Sequence, residues 1–148
     1  MQFRRATAAD APGIAPHMQR YWEFEGIAGF EQSRSCALLA GFLSNPQQGA
    51  GWIADHAGRI EGYLLAVLMF SFEHGGLMAE IDEFYVDPSR RSAGTGSLLL
   101  AAAERDLRAA GVVRLQLQVS VENKRGRGFY RRNGFEARAG YELYEKPL

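Results

Sequence analysis

Glu80–Ser97 reads EIDEFYVDPSRRSAGTGS, and the fold turns on it. Ile81, Phe84, Tyr85 and Val86 are β-branched or aromatic, so the segment opens as a strand, with acids at Glu80, Asp82 and Glu83. Asp87-Pro88 ends that strand, because proline lacks a ladder donor and biases the residue before it away from helix. Arg90-Arg91-Ser92-Ala93-Gly94-Thr95-Gly96-Ser97 comes next, and a helical pattern begins at once, Leu98 to Ala110. A strand, a short glycine loop and a helix start make an anion site. Unpaired amides point out of the helix, its dipole favours negative charge, and glycine allows close backbone approach.

Two familiar phosphate loops do not fit. A Walker loop needs GxxxxGK[ST], and no lysine stands in the required place. A dinucleotide fingerprint needs a third glycine three residues after Gly96, where Leu99 stands. The pattern that fits is R-x-x-G-x-G, Arg91-Ser92-Ala93-Gly94-Thr95-Gly96.

Working outward, the 148 residues are 47% hydrophobic, enough for one globular domain over 1–148 with a core. Formal net charge is zero, which argues against a general binder of nucleic acid or anionic membrane. The single cysteine, Cys36, excludes an internal disulfide and suits a reducing compartment. His17, His56 and His74 are scattered and no metal-ligand motif is present, so no metal is expected. Met1–Arg5 leads into no signal-like apolar run, and Gly62–Phe72 is too short to span a bilayer. A soluble, cytoplasmic protein is expected.

Gln2–Ala6 reads as a strand, and Thr7 or Asp10 can cap a helix over Ala8–Tyr21. Trp22-Glu23-Phe24-Glu25-Gly26 is expected to interrupt that helix. A second helix is expected over Gln32–Leu43, stopped by Asn45-Pro46. Gly51–Asp55 and Arg59–Phe72 form a hairpin across Ala57-Gly58, and Gly75-Gly76 turns the chain into the strand Leu77–Val86. After the loop, Leu98, Leu99, Ala102, Ala103 and Leu107 share one helical face. Val113, Leu115, Leu117 and Val119 alternate with polar residues as a strand. Asn123 can cap a short helix Lys124–Arg132, and Phe135–Lys146 is expected to close the chain as a hairpin. The order β-α-α-β-β-β-α-β-α-β-β is α+β, with one mixed, mostly antiparallel central sheet and about four helices.

The short helix lies in Asn123-Lys124-Arg125-Gly126-Arg127-Gly128-Phe129-Tyr130-Arg131-Arg132-Asn133-Gly134-Phe135. This fits N-x-x-(small)-x-x-x-Y-x-x-x-G-F. With the strand ending Tyr-Val-Asp-Pro and the R-x-x-G-x-G loop upstream, the chain resembles the GNAT superfamily of N-acetyltransferases. Both motifs fall in the family's order. Ser92 stands where the family loop usually has glycine, and Ala93 where a basic residue is common; serine still offers its amide, so phosphate binding is expected to survive, with lower affinity an open expectation.

The resemblance implies direct transfer of an acetyl group from acetyl-CoA to a primary amine. It implies that Arg91, Ser92, Ala93, Gly94, Thr95, Gly96 and Ser97 receive the pyrophosphate. The pantetheine arm would pair with Phe84, Tyr85 and Val86, the Val86 amide polarising the thioester carbonyl. Asn123 and Arg131 would be further donor contacts, with a solvated charge an equal alternative for Arg131. Tyr130 matches the family's tyrosine acid, which would protonate the departing thiolate; otherwise it is an aromatic on an apolar face.

An alkylamine has a pKa near about 10.4 and needs a base before it can attack. Asp82, then Glu80, then Glu83 are the candidates. Strand alternation puts Glu80 and Asp82 on one face and Glu83 on the other, unless a bulge intervenes. Trp22 and Glu25, after the first helix, would face a cationic acceptor by cation–π and charge contacts; a connector with a buried Trp22 is the alternative. A small-molecule amine is favoured as acceptor. A protein N-terminal or lysine acetyltransferase is the enzyme rival, and a non-catalytic acyl-CoA sensor the rival of another class. Dimerisation is frequent in the family, so a homodimer is an open expectation; no nucleic-acid or membrane partner is expected.

Overall fold

A computed structural model describes residues 1–148, which divide into two compact units, Met1–Gln118 and Val119–Leu148. In the first unit, β1 (Gln2–Arg5), β2 (Gly49–His56), β3 (Arg59–Ser71), β4 (Gly76–Val86) and β5 (Arg114–Leu117) form a sheet in that order. Neighbours are antiparallel except β4 and β5, which are parallel. The β2–β3 turn holds Ala57 and Gly58 at φ of 53° and 81°, the primed geometry a two-residue hairpin prefers.

Helices α1 (Ala11–Glu25) and α2 (Gln32–Leu43) cover one face, α3 (Thr95–Ala109) the other. On the first face Ile14, Met18 and Leu39 pack against Ile53, Tyr63, Leu65 and Tyr85. Trp52, of opposite parity to Ile53, is fully buried, and its Nε1 donates to Asp106 of α3 at 2.9 Å. α3 buries Leu99, Leu100, Ala102, Ala103 and Leu107, the face its periodicity predicts.

Two expectations are corrected. Trp22–Glu25 does not interrupt the first helix, which runs on to Glu25 and ends only at Gly26, left-handed at φ 70°. Aromatics and glutamates do not break a helix; a glycine C-cap does. Phe135–Leu148 contains no strand. Tyr141, Leu143 and Tyr144 are exposed there, so the segment lacks the burial that sustains a hairpin. The second unit holds α4 (Lys124–Arg132).

Candidate active site

The site grows from a split in the sheet. β4 pairs with β3 as far as Gly62↔Val86, but with β5 only as far as Ile81↔Leu117, leaving residues 82–86 past the end of β5. The Asp87 amide donates to the Glu61 carbonyl at 2.9 Å. Alternation along an antiparallel ladder then turns Tyr85 and Glu83 toward β3, and the Val86 backbone toward the edge beyond β5. The Val86 carbonyl accepts from Arg91 Nε there, at 2.8 Å.

A β-bulge sits where the split begins. Ala66 pairs with Ile81 and Leu65 with Glu83, so Asp82 is the extra residue. This overturns the simple alternation. Glu80 lies opposite Val67 and Glu83 opposite Leu65, two residues apart on β3, so Glu80 and Glu83 share a face.

The three acids have different surroundings. Glu83 is buried, its Oε1 accepting from Trp22 Nε1 at 2.7 Å and its Oε2 from the Tyr63 hydroxyl at 2.8 Å. Burial pushes its pKa up; the two hydrogen bonds oppose the rise and the Asp82 charge adds to it. Glu80 is half-buried and accepts from the side-chain amides of Gln116 on β5 and Gln118 just past its end. Asp82 is exposed, with no hydrogen bond to its carboxylate, and is pushed upward by desolvation and then by the Glu80 charge. Its exposure makes that shift the less consequential of the two. Trp22 also meets Phe30 edge-on, with centroids 5.5 Å apart. Its indole N–H is thus engaged within the protein, while Trp22 itself is half-buried within α1 and Glu25 is exposed.

Beyond β4, Asp87 caps a short 3-10 turn, Pro88–Arg90, accepting from the Ser89 amide at 3.0 Å and its hydroxyl at 2.7 Å. Arg91 is held by the Val86 carbonyl and lies 5.5 Å from the Tyr85 ring centroid. Ser92 is left-handed at φ 67°, and Gly94 at φ 80° caps α3. Ser92 therefore occupies a conformation that costs an L-residue roughly 1–2 kcal/mol, which gives a physical reason for glycine there. Ser92, Ala93, Gly94 and Ser97 are exposed, Gly96 is half-buried, and Thr95 is buried. The first α3 amides have no helical acceptor, and the space around Gly94 Cα is open, so the loop suits a phosphate.

The second unit carries the other predicted residues. Asn123 Oδ1 caps α4 through the Gly126 amide at 2.8 Å. A Cβ at Gly126 would lie 2.7 Å from that side chain, so the glycine makes room for the cap. Tyr130 meets Phe129 and Phe135 edge-on, at 5.3 and 5.6 Å, and Arg131 is exposed. Sequence reasoning missed Tyr63, Gln116 and Gln118; the alternation of glutamines over Val113–Val119 was the one available signal for the last two. No group of three or more His, Cys, Asp or Glu side chains could hold a metal, and no helix is long and apolar enough to cross a membrane.

Residues 14–135 match the model of a family described as "Acetyltransferase (GNAT) family". The uncharacterized N-acetyltransferase YhfO of Bacillus subtilis (strain 168) is 31% identical over 144 residues, covering 97% of this chain and 95% of the relative. The aminoalkylphosphonate N-acetyltransferase of Salmonella typhimurium is 32% identical over 84 residues, 57% of this chain and 54% of the relative. Among solved structures, AAC(6')-Iy in complex with the bisubstrate analog CoA-S-monomethyl-acetylneamine superposes with a TM-score of 0.84. It is 20% identical, and the match covers 99% of this chain and 98% of that one.

Proposed function

We propose that this chain, which belongs to the acetyltransferase (GNAT) family, transfers an acetyl group from acetyl-CoA to the primary amine of a small cationic molecule. The carrying observation is the split between β4 and β5, which opens at the bulged Asp82 and leaves the Val86 amide on the edge that β5 does not pair. An extended donor arm pairs with that edge, while its pyrophosphate meets Arg91–Ser97. The amides of the α3 start and the left-handed turns at Ser92 and Gly94 support that assignment.

Only about one in 2,500 molecules of such an amine is unprotonated at pH 7, so the site needs a base. Asp82 takes that role. Its oxygens are unengaged, whereas Glu83 already accepts two hydrogen bonds and Glu80 two more. Asp82 removes the ammonium proton, the amine nitrogen bonds to the thioester carbon, the Val86 amide steadies the oxyanion, and the carbon–sulfur bond breaks. Tyr130 gives its hydroxyl proton to the thiolate and recovers one as the new amide nitrogen sheds its remaining proton. Glu80, Glu83 and the exposed Glu25 make the acceptor side acidic, which suits a cation. The relative that acetylates an aminoalkylphosphonate supports a small acceptor.

Calorimetric titration with CoA, then an amine screen reading thiol release, tests this. Saturation near one per chain is expected. Asp82→Asn should lower kcat/KM by roughly 10²–10⁴ with CoA affinity unchanged. Folded protein that binds no CoA would end the reading; full activity in Asp82→Asn would remove the base.

A further inference from the structure

The donor loop begins with two adjacent arginines, and the fold treats them differently from a phosphate cradle. Arg90 does not face open solvent with a free fork. Its Nη2 donates to Glu61 Oε1 at 2.8 Å, and its Nε lies 2.7 Å from Glu61 Oε2. Glu61, near the start of β3, is only 5% exposed. A second N–H of the same guanidinium is accepted by His56 Nδ1 at 3.2 Å. Glu61 also holds the turn through its backbone, because its carbonyl accepts the Asp87 amide at 2.9 Å. One residue of β3 thus grips both ends of the segment 87–90, at the entry to the loop.

The backbone just past that grip is strained. Ser92 is left-handed at φ 67° without being glycine. Such a conformation persists only where the surroundings over-determine it. Within the loop, Arg91 is fixed by the Val86 carbonyl on one side, and Gly94 enters α3 on the other. Arg90 is a further anchor on the side that leads into the loop, and its partner is buried, where a broken pair is costly.

We infer that Glu61 and Arg90 are a positioning pair for the donor loop. They touch neither donor nor acceptor, and hold Ser92 and Gly94 in the left-handed conformation that receives pyrophosphate before the donor arrives. This rests on the reading of the loop as the CoA site. A preformed loop removes a conformational penalty from binding: if losing the clamp leaves one loop in ten in the receptive form, apparent affinity falls about tenfold.

The test is CoA titration of the full chain bearing Glu61→Gln, with and without Ser92→Gly. Glycine takes the left-handed conformation freely, so the clamp should matter less in its presence. Expected is a loss of about tenfold for Glu61→Gln alone and under about threefold in the Ser92→Gly background. Should Glu61→Gln fail to fold, Arg90→Lys replaces it. That variant keeps a charge beside the buried carboxylate but lacks the planar fork. Unchanged CoA affinity, or the same loss in both backgrounds, overturns the inference while leaving the donor site standing. Absence of CoA binding by the unsubstituted chain defeats the donor reading, and this inference with it.

Discussion

Replacing Asp10 with asparagine perturbs a junction that holds β1, the entry to α1 and β2 together. Arg4 of β1 forks onto Asp10, Nη2 to Oδ1 at 2.8 Å and Nη1 to Oδ2 at 3.0 Å, and reaches Asp55 of β2 at 3.0 Å. The Thr7 amide and hydroxyl add bonds to Oδ2 at 2.8 and 3.0 Å. Chiefly through the Arg4 hydrogen bonds, the Asp10 carboxyl is held down at about 2. Against an ordinary value near about 3.9, that is about 2.5 kcal/mol of stability. Asp10 is largely covered, 13% exposed, so most of this survives solvent screening. Asparagine can still accept from the Thr7 amide but carries no charge for Arg4. We expect Asp10→Asn to lose about 2 kcal/mol at pH 7, roughly 4–8 °C in Tm. The sign of the pH dependence comes from a lowered folded value. The contribution is complete above about pH 4 and is lost as the pH falls through about 2. Urea unfolding monitored by circular dichroism at pH 7, 5, 4, 3 and 2 would trace it. The gap between wild type and variant should be flat from 7 to 5 and close toward 2. A gap under about 0.5 kcal/mol at pH 7, or one that does not narrow in acid, would refute the reasoning.

Glu83 should behave in the opposite sense. Burial raises its pKa, so the folded chain keeps the proton longer and loses stability as pH rises from the ordinary carboxylate range through the raised value. Glu83→Gln, which can accept from Trp22 and donate to Tyr63, should equal or exceed wild type in urea unfolding at pH 8 and show no advantage at pH 4; a loss at pH 8 would contradict this. Ser92→Gly relieves a left-handed backbone costing roughly 1–2 kcal/mol and returns roughly 0.5–1 kcal/mol in unfolded-chain entropy, so thermal unfolding should shift upward by a few degrees. A lower Tm would show that the serine side chain, not its backbone, holds the loop. Tyr130→Phe should reduce kcat roughly a hundredfold or more while CoA affinity by calorimetry stays level. Weaker binding with unaltered turnover would assign Tyr130 to the donor site instead.

Most elements of the first unit were legible because their signals are local. The alternation of β5, the apolar face of α3, the turn at Ala57-Gly58 and the glycine loop are each written within a few residues. The end of α1 is less legible, because the aromatic and acidic run Trp22–Glu25 resembles a break while the physical stop is the left-handed Gly26. The expected closing hairpin failed for a related reason. Its aromatics, Tyr141 and Tyr144, are exposed and give the segment no face to bury.

By itself, the sequence determined the family, the glycine loop before α3 and the set of three acids on one strand, since those rest on residue types at short spacings. Which of the acids share a face was decided only in three dimensions, because a bulge at Asp82 exists only in register with Leu65 and Ala66 of another strand. The same holds for the burial of Glu83 between Trp22 and Tyr63, and for the grip of Glu61 on Arg90, 29 residues along the chain. Their partners come from elements that only folding brings together, and a single chain's local pattern carries no record of which side chains will meet.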